Sequence, residues 1–152
     1  MITIKLLCVG NLKEKFWVDA CEEYAKRLSK FCNLKIIQLD EQNKYENVER
    51  IKIEEGKEIL PQLEGENILL DIAGKMISSE ELAFLIKDKS LTQSTLTFVI
   101  GGSYGVASEV KNKIPTKISF GRVTYPHNLA RVILLEQIYR AFMINSGSKY
   151  HK

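Results

Sequence analysis

Two short apolar stretches, at 67–72 and 95–100, place the strongest limit on how this chain can fold. Neither stretch alternates apolar and polar residues as a strand with one wet face does, so both are expected to be covered on both sides. Segments with helical periodicity separate them from the other β-rich runs. This alternation predicts an α/β fold, with a mostly parallel sheet and helices on both of its faces.

The other elements are predicted from periodicity, turn residues and capping signals. Strands are expected at 2–9, 34–39, 67–72, 95–100 and 117–120, and helices at 16–31, 48–60, 78–87, 107–112 and from 126 onward. Ser78 and Glu81 have the spacing of a capping box. Pro126 is expected at the first position of the long last helix, where its missing N–H is harmless. No repeat or linker divides the chain, which predicts one domain over residues 1–152.

Composition favours a globular protein and argues against several other classes. Hydrophobic residues make up 45% and charged residues 27% of the 152 residues, as is usual for such proteins. No apolar run approaches the length of a bilayer span, and residues 1–7 are typical of a first strand rather than a signal peptide. Three cysteines without C-x-x-C spacing predict buried thiols in a reducing, cytoplasmic compartment. With only two histidines and no ligand pairing, no metal site is expected.

The basic residues are concentrated near the C-terminus. From residue 113 onward there are seven lysines and arginines and one acid, whereas the first 112 residues hold 15 bases and 18 acids. A basic quarter on an acidic body suggests a polyanionic partner such as nucleic acid. A solvated charged face explains the same composition equally well.

Three loops, at 71–75, 101–105 and 120–126, follow predicted strands and are expected to converge where ligands bind in parallel sheets. The glycines of the loop at 101–105 suit either a close approach to a ligand or a plain turn. The loop matches neither a Walker A motif nor G-x-G-x-x-G, so phosphate binding is not supported. Asp71 is expected to cap a turn rather than to bind a ribose, and Gly74-Lys75 to form that turn.

The last predicted helix has an apolar band wider than one core-facing stripe, which suggests packing on a second subunit. Its apolar residues are Leu129, Val132, Ile133, Leu135, Ile138, Phe142 and Met143. Glu136 and Arg140 form a favourable i,i+4 pair. His127 and Arg131 also share a face of this helix, beside a tail that ends in Tyr150-His151-Lys152.

With these C-terminal residues included, the sequence closely resembles the RlmH family, the 23S ribosomal RNA pseudouridine N3-methyltransferases of the SPOUT class. The resemblance extends over essentially the whole chain. It includes Val9-Gly10, Leu12-Lys13, Glu23-Tyr24, Arg27-Leu28, Leu70-Asp71, Gly74-Lys75, Ser78-Ser79-Glu80, 98–102, 124–127, Arg131, 135–142 and 150–152. The block from 124 to the end is the most specific part.

The resemblance implies properties that the residue patterns alone do not give. It implies a C-terminal trefoil knot, a homodimer formed through the last helix, and S-adenosylmethionine bound in the knot as methyl donor. The residues placed at the cofactor by this resemblance are Leu70, Gly101, Phe120, Gly121, Arg122, Val123, Thr124 and Tyr125. The implied substrate is 23S ribosomal RNA in the assembled ribosome.

Methylation at a pyrimidine N3 requires loss of a weakly acidic imide proton, so a base or a stabilising cation is expected. The candidate catalytic residues are His127, Arg131, Arg140, Tyr150 and His151. His127, His151 and water remain alternative proton acceptors. Two other functions stay open: a non-catalytic RNA- or ribosome-binding module of the same fold, and a different small nucleotide-binding α/β enzyme.

Overall fold

The structure, a computed structural model, describes all residues from 1 to 152. Five strands alternate with five α-helices and one short 3-10 turn at Leu60–Gln62. The strands are β1 (Thr3–Val9), β2 (Asn33–Leu39), β3 (Glu66–Met76), β4 (Thr95–Ile100) and β5 (Thr116–Ser119). The helices are α1 (Lys15–Leu28), α2 (Val48–Ile59), α3 (Ser79–Ser90), α4 (Ser108–Lys113) and α5 (His127–Asn145).

All five strands belong to one sheet, in the order β2-β1-β4-β3-β5, and every neighbouring pair is parallel. The predicted α/β class with a parallel sheet is therefore confirmed. β4 lies at the centre of the sheet, and all six of its residues are buried, as its uninterrupted apolar sequence predicts.

Successive side chains of the strands enter two separate cores because they point to opposite faces of the sheet. In β1, Leu6 packs into the larger core, with α1, α3 and α5, whereas Leu7 packs into the smaller one, with α2 and α4. Helices thus cover both faces, as predicted. The connections that move towards the β2 edge of the sheet, through α1 and α3, place their helix on the face of the larger core. Those that move towards the β5 edge, through α2 and α4, place it on the face of the smaller core. All four crossovers therefore have the same hand, as expected.

The predicted turn at 73–75 is wrong. β3 continues to Met76, with a shift in its register against β5 between Leu70 and Lys75. Gly74 allows this irregularity, because a Cβ there would lie 2.8 Å from the backbone carbon of Lys117 and 2.9 Å from the backbone nitrogen of Ile118.

Helix boundaries differ slightly from the predictions. α1 ends at Leu28 rather than Phe31, and Pro126 precedes α5 as its N-cap instead of occupying its first turn. The capping box of α3 is present, with both the Ser78 hydroxyl and the Glu81 carboxylate bonded to backbone N–H groups. α5 lies between α1 and α3 on one face of the sheet, with its first residue at the carboxyl edge of the strands.

Candidate active site

A cavity of about 870 Å³ opens where β4 and β5 end, beside residues 69–72 of β3. Its walls come from residues 69–72, 100–106, 119–121 and 123–127, with Ala130 and Lys111 completing the lining. The connection after β3 leaves towards α3 and that after β4 leaves towards α4 on the opposite face, and such a divergence creates a crevice that binds ligands. Two of the three predicted loops, at 101–105 and 120–126, converge at the cavity. The third, at 71–75, is part of β3, and only Asp71 and Ile72 of its predicted span reach the lining.

The glycine-rich wall is a tight turn that brings backbone against the cavity. Gly105 donates its N–H to the carbonyl of Gly102 at 3.0 Å, and its φ of +83° favours glycine. A Cβ at Gly101 would lie 2.7 Å from Cγ1 of Val106. These contacts leave no room for a side chain at Gly101, so its backbone faces the cavity directly.

The wall formed by the segment after β5 is fixed by hydrogen bonds of the Ser119 hydroxyl. Ser119 Oγ donates to the carbonyl of Gly121 at 2.8 Å and accepts its N–H at 3.2 Å, while Gly121 has a φ of +123°. This wall carries Phe120, Val123, Thr124 and Tyr125.

Of the eight predicted cofactor residues, seven therefore line the cavity. Arg122 is the exception, since it is exposed and lies outside the lining. Asp71 does not cap the predicted turn, because it lies within β3, and its Oδ1 accepts the backbone N–H of Ala73 at 3.0 Å where the register of β3 against β5 shifts.

The structure separates the five predicted catalytic residues into three places. His127 lines the cavity at the start of α5, and its Nε2 lies 3.5 Å from Oε1 of Glu41. Arg131 is 2% exposed and points away into the fold, where Nη1 donates to Gln38 Oε1 at 2.6 Å and Nη2 to the Gly10 carbonyl at 2.9 Å.

Arg140, Tyr150 and His151 form a separate group at the other end of α5, which we call the tail cluster. Arg140 Nη2 donates to Glu136 Oε1 at 2.7 Å, and its guanidinium lies 4.8 Å from the centre of the Tyr150 ring. His151 bridges Nη1 of Arg140, at 3.1 Å, and Oε1 of Glu80, at 2.6 Å. Arg140 lies thirteen positions after His127 in α5, which is about 20 Å at 1.5 Å per residue.

Electrostatic effects in the tail cluster agree with this geometry. The hydrogen bond from His151 holds the pKa of the Glu80 carboxyl below its ordinary value. Burial, followed by the nearby Glu136 carboxylate, raises the pKa of the Tyr150 phenol. Tyr150 therefore stays neutral at physiological pH and donates its O–H to Glu136 Oε1 at 3.2 Å.

Two acidic residues near the cavity were missed by sequence reasoning. Glu41 contacts His127, and Glu55 is 4% exposed beneath Gly102, where a Cβ would lie 2.9 Å from its Oε1. Burial raises the pKa of the Glu55 carboxyl. Glu41 lies in a polar connection that looks like an ordinary solvated loop, and Glu55 lies in a charged helix, so neither carried a sequence signal.

No group of three or more histidine, cysteine, aspartate or glutamate side chains is placed to hold a metal ion. None of the helices combines the length and the apolar character needed to cross a membrane. The thiol of Cys8 is buried, and this burial raises its pKa to about 12.

Comparison with known proteins defines the class to which this fold and cavity belong. A family model described as "Predicted SPOUT methyltransferase" matches residues 2–151. The chain therefore belongs to the SPOUT methyltransferase family. The resemblance predicted from the sequence is confirmed by this match and by the relatives described next.

Two curated relatives match over their full lengths. The protein named Ribosomal RNA large subunit methyltransferase H from Clostridium novyi is 49% identical, covering 99% of this chain and 100% of that protein. Its namesake from Oenococcus oeni is 47% identical and covers 100% of both chains. A probable methylase family protein from Haemophilus influenzae has a similar fold, with a TM-score of 0.53 and 11% identity over 99% of this chain and 70% of that one.

Proposed function

We propose that this protein transfers a methyl group from S-adenosylmethionine to N3 of a pseudouridine in 23S ribosomal RNA within the assembled ribosome. The observation that carries the proposal is the cavity between the glycine-rich turn at 101–105 and the segment after β5, in a chain of the SPOUT methyltransferase family. The name of these relatives supports the substrate, since it specifies RNA of the large ribosomal subunit.

The residues present fit such a donor. The cavity of about 870 Å³ lies within the range of about 300–1,000 Å³ for small-ligand sites. Gly101 offers backbone rather than a side chain to a ligand, because a Cβ there would lie 2.7 Å from Cγ1 of Val106. Leu70, Gly101 and residues 120, 121 and 123–125 would hold the donor, whereas Arg122 lies outside the lining.

The chemistry of the site follows from the proton that N3 must lose. When bound, the donor supplies a methyl group on a sulfonium, and this methyl passes to the N3 electron pair while the S–CH₃ electron pair remains on sulfur. The protein has to place the pseudouridine ring of the RNA next to the cavity, and one of its groups has to accept the N3 proton. His127 is the proposed acceptor because it is the histidine that lines the cavity of its own chain.

The tail cluster and the exposed basic residues are proposed to contact the RNA. Arg122, Lys149 and Lys152 are exposed, and phosphate contacts from such side chains give affinity without sequence information. The acceptor base is selected by shape and by its unstacked position, as in most sequence-specific RNA recognition.

The oligomeric state, the knot and the localisation belong to the same proposal. No residue from His127 to Ile144 of α5 is fully exposed, and α1 and α3 already cover much of its apolar band. The proposed homodimer through α5 and the trefoil knot are therefore supported by the family resemblance rather than by the width of that band. A ribosomal substrate implies that the protein, as a single domain, acts in the cytoplasm. Light scattering behind a sizing column tests the dimer.

One assay tests the function. Methyl-labelled S-adenosylmethionine is incubated with the protein and with ribosomes that lack the modification, and the labelled base is then mapped in the RNA. Label at N3 of one pseudouridine in 23S RNA is expected. RNA binding without donor affinity would instead identify a non-catalytic module, and label elsewhere would refute the substrate.

A further inference from the structure

Three distant segments of the chain meet at one corner of the cavity. His127 comes from the start of α5, Glu41 from the connection between β2 and α2, and Gly10 from the turn after β1. His127 Nε2 lies 3.5 Å from Glu41 Oε1, and both side chains are about one quarter exposed, at 26% and 25%. The pair therefore stands at the edge between the cavity and solvent.

Glu41 is held in place from both sides. Asn43 Nδ2 donates to Glu41 Oε2 at 3.0 Å, which leaves Oε1 directed at the histidine. The next residue along, Gln42, donates its backbone N–H to Glu55 Oε2 at 3.1 Å, and Glu55 is buried. A glutamate on a free solvated loop would have neither restraint.

The missing side chain at Gly10 creates the space for this pair. A Cβ at Gly10 would lie 3.0 Å from His127 Nε2 and 3.1 Å from Glu41 Oε1, and the φ of +109° favours glycine. The Gly10 carbonyl accepts from Arg131 Nη2 at 2.9 Å. Arg131 thus fixes the turn against the same helix that carries His127, so the whole corner is braced.

We propose that Glu41 is a positioning residue that orients the imidazole of His127 for acceptance of the N3 proton. This inference rests on the proposed function and on the role of His127 in it. A carboxylate at one ring nitrogen selects the tautomer with the proton on that nitrogen, which leaves the other nitrogen free as a base. Here Glu41 holds the Nε2–H, the bond from N3 to its proton breaks, and that proton forms a new bond to His127 Nδ1.

Glu41 remains ionised throughout and stabilises the imidazolium that results. The present separation of 3.5 Å is long for a hydrogen bond, but catalytic hydrogen bonds commonly shorten when substrate binds. A carboxylate beside a helix N-terminus also stabilises that helix. Such a purely structural role would alter unfolding and not the rate of transfer at saturating substrates.

The test uses Glu41→Gln, Glu41→Asp, His127→Gln and the double variant, in the full-length protein. Asp40→Asn is the matched control, since it makes the same carboxylate-to-amide change on the neighbouring exposed residue. For each protein, the affinity for S-adenosylmethionine, the unfolding midpoint, and kcat and KM with unmodified ribosomes are measured.

Glu41→Gln is expected to lower kcat about tenfold to a hundredfold, part of the 10²–10⁴-fold that general-base catalysis provides. The donor Kd and the KM should stay within about twofold, and Glu41→Asp should recover much of the rate. In the His127→Gln background, Glu41→Gln should cost less than about twofold, because residues that act through one another are not additive.

Several results would overturn the inference. One is a kcat for Glu41→Gln within about twofold of the wild-type value, and another is full activity of His127→Gln. A third is that Glu41→Gln lowers kcat equally in the wild-type and His127→Gln backgrounds. The last is a loss of affinity for S-adenosylmethionine large enough to account for the lost rate. An inactive wild-type protein would instead refute the proposed function, so the two failures are distinguishable.

Discussion

Arg131 offers the clearest test of whether a residue predicted to be catalytic is in fact structural. It is 2% exposed, and its two terminal nitrogens bond to Gln38 Oε1 and to the Gly10 carbonyl. Its Nε–H is buried without a partner. Replacing it with methionine removes the charge and all five N–H donors while keeping most of the apolar stem.

The expected loss of stability can be worked out from these contacts. Each charge-assisted bond is worth about 1.5–3 kcal/mol, so losing two costs about 3–6 kcal/mol. Removing the unpartnered Nε–H recovers about 1–3 kcal/mol. The central values leave a destabilisation of about 2–3 kcal/mol, or about 5–10 °C in the unfolding midpoint for a chain of this length.

Urea titration of Arg131→Met, with Arg122→Met as the control, measures this effect. Arg122 is exposed, and surface substitutions usually change stability by less than about 0.5 kcal/mol. If Arg131→Met kept wild-type stability but lost methyl transfer, the structural account would be refuted, because the guanidinium would then have to act on substrate.

Three further outcomes are expected. Gly101→Asp should weaken donor binding at least tenfold by calorimetry, since the space beside Val106 is already filled; unchanged affinity would contradict the assigned cavity. Deleting residues 146–152 should preserve folding and donor binding but abolish methyl transfer, and normal turnover by the truncated protein would remove the tail from the mechanism. Glu55→Gln should raise the unfolding midpoint at neutral pH but not below about pH 4, because burial raises the Glu55 carboxyl pKa and its ionisation disfavours the fold as pH rises. The same gain in the exposed Glu58→Gln control, or none at neutral pH, would contradict this reasoning.

The order of elements and the position of the cavity could be predicted because they depend on local patterns. Apolar runs indicated the strands, the Ser78 capping signal indicated the start of α3, and the ends of parallel strands predicted the converging loops at 101–105 and 120–126. The family resemblance added the cavity residues, of which only Arg122 lies outside the lining.

The roles of single polar residues depend instead on contacts between distant segments. Arg131 looked catalytic because it shares a helix face with His127, but its partners lie 93 and 121 positions away in sequence, at Gln38 and Gly10. Glu41 was missed for the same reason, since its contact with His127 is formed only when α5 reaches the carboxyl edge of the sheet. The continuation of β3 past Gly74 likewise depends on pairing with β5.

α5 sets a geometric condition that any mechanism for this protein has to meet. It carries His127 at the cavity and Arg140 in the tail cluster, and it is packed between α1 and α3 along its length. A helix restrained in this way cannot bring its two ends together, so about 20 Å separates the groups within one chain. If one protein chain acts alone, the RNA must span that distance and the tail cluster contacts nucleotides away from the acceptor base. If the tail cluster acts on the acceptor base itself, it has to come from a second subunit, and a monomer would then be inactive even with its donor bound.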